Sequence, residues 1–215
     1  MLHKGKAILL LLLGIGLGLI LATAMFWGFG RGVRNTPVTA VGVPVAVPHT
    51  PALAEAAYTV AGALYTQDYA ALAAWVHRTE GMWIVPYSTV DKSRNLVFTA
   101  EQVKKFGDDS AEYLWGTYDG SGEPILKTPA DFGEEFLQKH DFAKAPVLGL
   151  NTIIKTGNSL ENVVSEFPEA SFVDLHYPGF TAEAQGIDWV TLRLVFTLDG
   201  DSLRLIAIIH CCWTI

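Results

Sequence analysis

The pattern of apolar and polar positions near the C-terminus, with its residue composition, predicts three antiparallel strands: Ser171–Tyr177, Asp188–Leu198 and Ser202–Thr214. Trp189-Val190-Thr191-Leu192-Arg193-Leu194-Val195-Phe196 and Leu203-Arg204-Leu205-Ile206-Ala207-Ile208-Ile209-His210 are rich in β-branched and aromatic residues, which suit a pleated, half-buried surface. Between them lies Leu198-Asp199-Gly200-Asp201-Ser202, and Asp-Gly tolerates positive φ at both centre positions of a tight hairpin turn. The period of two assigns faces. Phe172, Asp174 and His176 share one face of the first strand, Trp189, Thr191 and Arg193 one of the second. Arg204, Ile206, Ile208, His210 and Cys212 share one of the third. With these faces in register, Asp174, His176, Arg193 and His210 gather on one side. That side is either the solvated face of a half-buried sheet or the polar floor of a pocket.

Upstream the period changes to that of helices. Thr50-Pro51 suits a cap and first turn, and Leu53, Ala57, Val60, Ala61 and Leu64 then form one stripe of a helix to Tyr65. Asp68 caps a second helix, Tyr69 to Val76, burying Leu72, Trp75 and Val76. Met82–Tyr87 reads as a strand and Asn95–Thr99 as a short extended segment. Thr99-Ala100-Glu101-Gln102 is a capping box opening a helix to about Phe106. Glu112–Ile125 packs aromatics against a Gly-rich turn, with neither the lysine of a phosphate loop nor the alternating acids of a calcium loop. Thr128-Pro129 starts a helix to about His140, Val147–Lys155 suits a strand, and Ser159 caps a last short helix closed by Pro168. The fold class expected is α+β: a curved antiparallel sheet wrapped around the N-terminal helices, preceded by one transmembrane helix.

The N-terminus supplies that helix. Ala7 to Gly30 is an uncharged run of about 24 residues, and a bilayer span needs roughly 20. Phe26-Trp27 and Arg31 sit where an interfacial belt and a flanking charge belong. A secretory signal competes with this reading, because Ala22-Thr23-Ala24 resembles a cleavage site. The uncharged run continues past Ala24, which favours an anchor through residues 7–29; cleavage near Ala24 would instead secrete the chain. Either way the domain is exported. Residues 31–50, with Pro37, Pro44 and Pro48, read as an extended tether, leaving residues 51–215 as one extracytoplasmic domain.

Charge narrows the partners. Lys4, Lys6, Arg31 and Arg34 precede the domain, whereas all 22 acidic residues lie within it against 11 basic ones. A net charge of −11 there argues against nucleic acid or anionic lipid as its partner.

Leu64-Tyr65-Thr66-Gln67-Asp68-Tyr69-Ala70-Ala71-Leu72-Ala73-Ala74-Trp75-Val76-His77, followed by Gly81, resembles the opening of nuclear transport factor 2-like (cystatin-like) cone domains. Further segments resemble bacterial extracytoplasmic lipoprotein-type proteins: Trp115–Ile125, His176-Tyr177-Pro178-Gly179-Phe180, Asp188-Trp189, Leu192-Arg193-Leu194-Val195-Phe196 and the ending Ile208–Ile215. The resemblance covers most of residues 52–215 and implies a curved sheet around helices with a pocket in the cone. It implies no activity. Two features depart from the group: no lipid-attachment cysteine stands near the N-terminal segment, and Cys211-Cys212 occupies positions where polar residues are expected.

The candidate chemistry is sparse. Adjacent cysteines on a strand point to opposite faces, so Cys211 and Cys212 are not expected to bridge each other. Neither C-x-x-C nor H-x-x-x-H occurs, and no motif calls for a cofactor. His77, at a helix end, suits a cap. His176 and His210 suit proton transfer if Asp174 and Arg193 stand close. Trp115, Tyr118 and Trp189 could rim a pocket, or simply be core. Two functions are consistent with these residues. One is a non-catalytic, membrane-tethered envelope domain that binds a small molecule or a protein through Asp174, His176, Arg193, His210, Trp115 and Tyr118. The other is an extracytoplasmic hydrolase or isomerase using a His/Asp pair.

Overall fold

The computed structural model describes residues 50–214. The expected anchor (residues 7–29) and nearly all of the tether lie outside them. Among the described residues no helix is long and apolar enough to cross a membrane.

Helix α1 (Thr50–Tyr65) buries Leu53, Ala57, Val60, Ala61 and Leu64, the stripe its period predicts. Helix α2 (Tyr69–Trp75) begins where the Asp68 carboxylate accepts from the Ala71 amide at 2.9 Å. Helix α3 (Ala100–Val103) carries the predicted capping box: Thr99 accepts from the Gln102 amide at 3.3 Å, and the Gln102 side chain accepts from the Thr99 amide at 2.9 Å. Helix α4 (Pro129–Phe132) is capped by Thr128 but does not run on to His140. It widens into a π-helical turn over Gly133–Leu137. Ser159 caps no helix; the short helix α5 (Val163–Glu166) starts after Asn162.

The strands are β1 (Met82–Val85), β2 (Leu96–Phe98), β3 (Tyr113–Thr117), β4 (Pro124–Lys127), β5 (Val147–Leu150), β6 (Ser171–Tyr177), β7 (Val190–Asp199) and β8 (Ser202–Cys212). Six of them form one sheet in the order β2-β1-β8-β7-β6-β5. The C-terminal meander is antiparallel as its alternation predicts, but β1 lies parallel to β8, so the sheet is mixed rather than wholly antiparallel. Among the described residues, strands β3 and β4 pair only with each other, turning the aromatic, Gly-rich stretch into a separate hairpin.

Both faces of the large sheet are buried. On one, Val173, Leu175, Leu192, Leu194, Phe196, Leu205 and Ile208 pack against α1, α2 and the inner face of the hairpin. On the other, Phe172, Val195, Ala207, Ile209 and Cys211 pack with Val85, Val90, Val163, Phe167 and Trp189. Each fully buried aliphatic or aromatic side chain contributes about 1.5–3 kcal/mol, so neither face is a minor support.

A bulge in β8 decides which residues share a face. The turn is centred on Gly200-Asp201, with Asp199 opposite Ser202 and Gly200 at φ 61°. Pairing runs regularly to Phe196 opposite Leu205; then Val195 faces Ala207, and Ile206 is the extra residue. From there Arg193 stands opposite Ile209, and Leu192 opposite His210. The extra residue reverses the facing of everything beyond it. His210 and Cys212 therefore lie on the face opposite to Asp174, His176 and Arg193, which corrects the grouping drawn from uninterrupted alternation.

Candidate functional site

Asp174, His176 and Arg193 come together as expected, but inside the protein. Asp174 and Arg193 are fully buried and His176 is 3% exposed. The guanidinium grips Asp174 with two bonds, Nε to Oδ1 at 2.6 Å and Nη2 to Oδ2 at 3.0 Å. Its third arm reaches Glu161 Oε2, a partner that alternation could not supply because Glu161 lies on the segment crossing the sheet face. Asp174 Oδ2 also accepts the Ile154 amide at 3.1 Å, and Phe172 lies 5.3 Å from the guanidinium carbon. Burial works against the charge on Arg193, yet the two carboxylates hold it protonated above its ordinary value. This is neither a solvated sheet face nor an open pocket floor. It is an internal ion network fastening residues 151–162 to the sheet.

His176 does not hydrogen-bond Asp174. Its Nδ1 meets Thr191 Oγ1 at 2.7 Å, with Trp189 packed 5.8 Å away. Burial, aided by Lys155, lowers its pKa against the opposing pull of Asp174, so the ring is neutral at pH 7. His210, on the other face, has Nδ1 3.1 Å from the Pro86 carbonyl, which identifies Nδ1 as the donor. Phe136 meets its ring edge-on at 5.5 Å, and burial pushes its pKa down to about 4. Burial raises the Cys211 and Cys212 thiols to about 12 and about 11, which keeps both protonated. His77 accepts the Glu80 amide at 3.1 Å rather than capping helix carbonyls.

The aromatics expected at a pocket rim are largely core. Trp115 is 1% exposed, stacks on Phe132 at 3.9 Å and donates to the Lys127 carbonyl at 2.9 Å. Trp189 is buried in the second core. Half-buried Tyr118 donates to Glu135 at 3.0 Å. Between sheet and helices, around Leu72, Ile84, Trp115, Phe132 and Ile208, a void of about 10 Å³ remains, scarcely room for one water. The space where a cone pocket was expected there is filled by side chains.

A larger opening lies elsewhere, a cleft of about 780 Å³ with three walls. One is the loop after β1, with Pro86, Tyr87, Thr89, Asp91, Arg94 and Asn95; the second is β3 and its turn, with Leu114, Gly116, Thr117, Asp119 and Gly120; the third is Asn158, Ser159 and Thr214. The first and third walls are tied together. Thr89 donates to the Leu160 carbonyl at 2.9 Å, and Asn162 exchanges bonds with both backbone groups of Val90 at 2.8 Å. Asn158 accepts from the Thr214 amide and hydroxyl at 3.1 and 2.7 Å. Ser159 donates to Asp119 Oδ2 at 3.2 Å, joining the second and third walls. Burial raises the Tyr87 phenol to about 12, so it stays a neutral donor. Arg94 is paired loosely with Asp91 at 3.5 Å.

None of the residues assigned from the sequence lines this cleft. Outside β3, many of its residues stand on loops of Asp, Asn, Ser and Gly (Asp91-Lys92-Ser93-Arg94-Asn95, Asp119-Gly120, Gly157-Asn158-Ser159), whose composition marks turns and does not reveal which turns converge. The neighbouring network does connect to it. Glu161, two residues from Ser159, fastens the third wall through Arg193.

Comparison with protein-family models, with curated proteins and with solved structures gives no match. The reading of the site stands on geometry.

Proposed function

We propose that residues 51–215 are a non-catalytic binding domain, held on the extracytoplasmic side of a bacterial membrane by residues 7–29, with the three-walled cleft as the ligand site. The cleft carries this reading. It is an opening of about 780 Å³ whose walls offer hydroxyl, carboxamide and carboxylate groups beside Tyr87 and Leu114. It is concave, and its mostly polar lining suits a ligand rich in hydrogen-bonding groups rather than an apolar one. The ligand is a small molecule or a segment of an envelope protein. Two N-terminal helices, a following strand and the C-terminal antiparallel meander are what support the resemblance to cone domains and to lipoprotein-type envelope proteins.

The ligand test uses the full chain, extracted in mild detergent and exposed to an envelope extract, with bound molecules read by mass spectrometry. Thr117→Trp places a bulky ring at an exposed position of the cleft wall. The parent is expected to retain a ligand that the variant loses by about tenfold or more, a loss of roughly 1.4 kcal/mol in binding. Equal retention by both would place binding elsewhere. For location, the chain is expected in the membrane fraction with its domain open to external protease. Recovery from the medium of a chain starting at Met25 would replace the anchor by a cleaved signal.

A further inference from the structure

We propose that the occupant of this cleft is an extended, basic peptide segment that adds as a third strand to the free edge of β3. This rests on the reading of the cleft as the binding site and goes further, to the chemistry of the ligand.

Among the described strands, β4 alone flanks β3. The cleft is lined by Leu114, Gly116 and Thr117 of β3 and by no residue of β4. The edge of β3 without a strand neighbour therefore faces the opening. Its five residues span about 17 Å, long enough to template a peptide strand. Natural edges are commonly guarded by lysine, proline, a bulge or a short length, and of these β3 carries only the bulge, between Leu114 and Thr117. Tyr113-Leu114-Trp115-Gly116-Thr117 contains neither lysine nor proline. Gly116, at φ 146° within the register shift of β3, carries no side chain of its own, and a β-carbon there would meet the Pro86 ring of the facing wall at 3.5 Å.

Side chains define the peptide's character. Leu114 and Leu126 face each other across the hairpin and are 55% and 52% exposed, an apolar strip on its outer face. Between Lys105 and Lys127 the chain carries Asp108, Asp109, Glu112, Asp119 and Glu123 and no basic residue. The one cation on the facing wall, Arg94, has Asp91 beside it. A strand of alternating apolar and basic residues would pair its backbone with β3, rest apolar groups on the leucines and place cations near the acids.

The full chain in nanodiscs of zwitterionic lipid is titrated into fluorescein-labelled Lys-Val-Lys-Val-Lys-Val, with empty discs as blank. Controls are Glu-Val-Glu-Val-Glu-Val and the lysine peptide N-methylated at every amide. The lysine peptide is expected to bind, to weaken as salt rises, and to slow hydrogen exchange at Leu114–Thr117. The acidic peptide should bind at least tenfold more weakly, and the N-methylated one should not bind. Asp119→Asn, which removes the charge but keeps an acceptor for Ser159, should weaken the lysine peptide about threefold without weakening the acidic one. No binding of the lysine peptide, equal binding of either control, or protection confined to another strand would overturn the proposal. A small molecule that the parent retains and Thr117→Trp loses, with no peptide bound, refutes the peptide but leaves the cleft as the site. Peptide binding unchanged in Thr117→Trp refutes the cleft itself.

Discussion

Arg193→Leu is expected to destabilise the domain by about 3–5 kcal/mol, since it strands two carboxylates where water does not repay them. For a domain of this size that lowers the melting temperature by about 10–15 °C. Asp174 would keep only the Ile154 amide at 3.1 Å, and Glu161 would lose the partner of its one satisfied oxygen, its Oε1 being buried without a bond. Asp174→Asn should cost less, about 1–3 kcal/mol, because Arg193 keeps Glu161 and the amide oxygen can still accept. Replacing all three by apolar residues of similar volume should recover most of the loss, since a buried network is expensive to break and cheap to remove whole. Urea unfolding of the four proteins decides the matter. An Arg193→Leu no less stable than Asp174→Asn would mean that the network does not carry the packing of residues 151–162.

Lowering the pH from 7 to 4 is expected to cost the domain up to about 3 kcal/mol through half-buried His210. Burial holds the folded pKa at about 4, while the unfolded chain takes a proton near 6.5. Between these values the unfolded state binds more protons, so stability is complete above about pH 6.5 and falls progressively towards pH 4. Buried His176 is shifted in the same direction and adds to the loss. His210→Gln keeps a donor for the Pro86 carbonyl but cannot titrate. It should be slightly less stable than the parent at pH 7 and about 2 kcal/mol more stable at pH 4. Unfolding curves at pH 7, 5.5 and 4 test the crossing. Parallel loss in both proteins would show that His210 is not protected from protonation.

What depends on neighbours in the chain was legible in the sequence. The stripe of α1, the Asp68 cap, the Thr99–Gln102 box and the span Ser171–Tyr177 follow from period and capping chemistry, acting over a few residues. Hairpin β7–β8 follows likewise, with the centre of its turn one residue later than Asp-Gly suggested. Extended segments were visible at β1 and β5, though each is shorter than its apolar run. Tertiary structure decided everything that joins distant segments. Strand β1 takes its direction from β8, more than a hundred residues away, and nothing local encodes that choice. Leu205-Ile206-Ala207-Ile208-Ile209 is apolar at every position because both faces of the sheet are buried, so it has no alternation to read and cannot announce a bulge. The single extra residue at Ile206 then turns His210 to one face of the sheet and leaves Arg193 on the other. Glu161 and the cleft belong to the same class. Polar loop residues look alike in a sequence, and only the packing of their segments determined that one completes an ion network and others wall an opening.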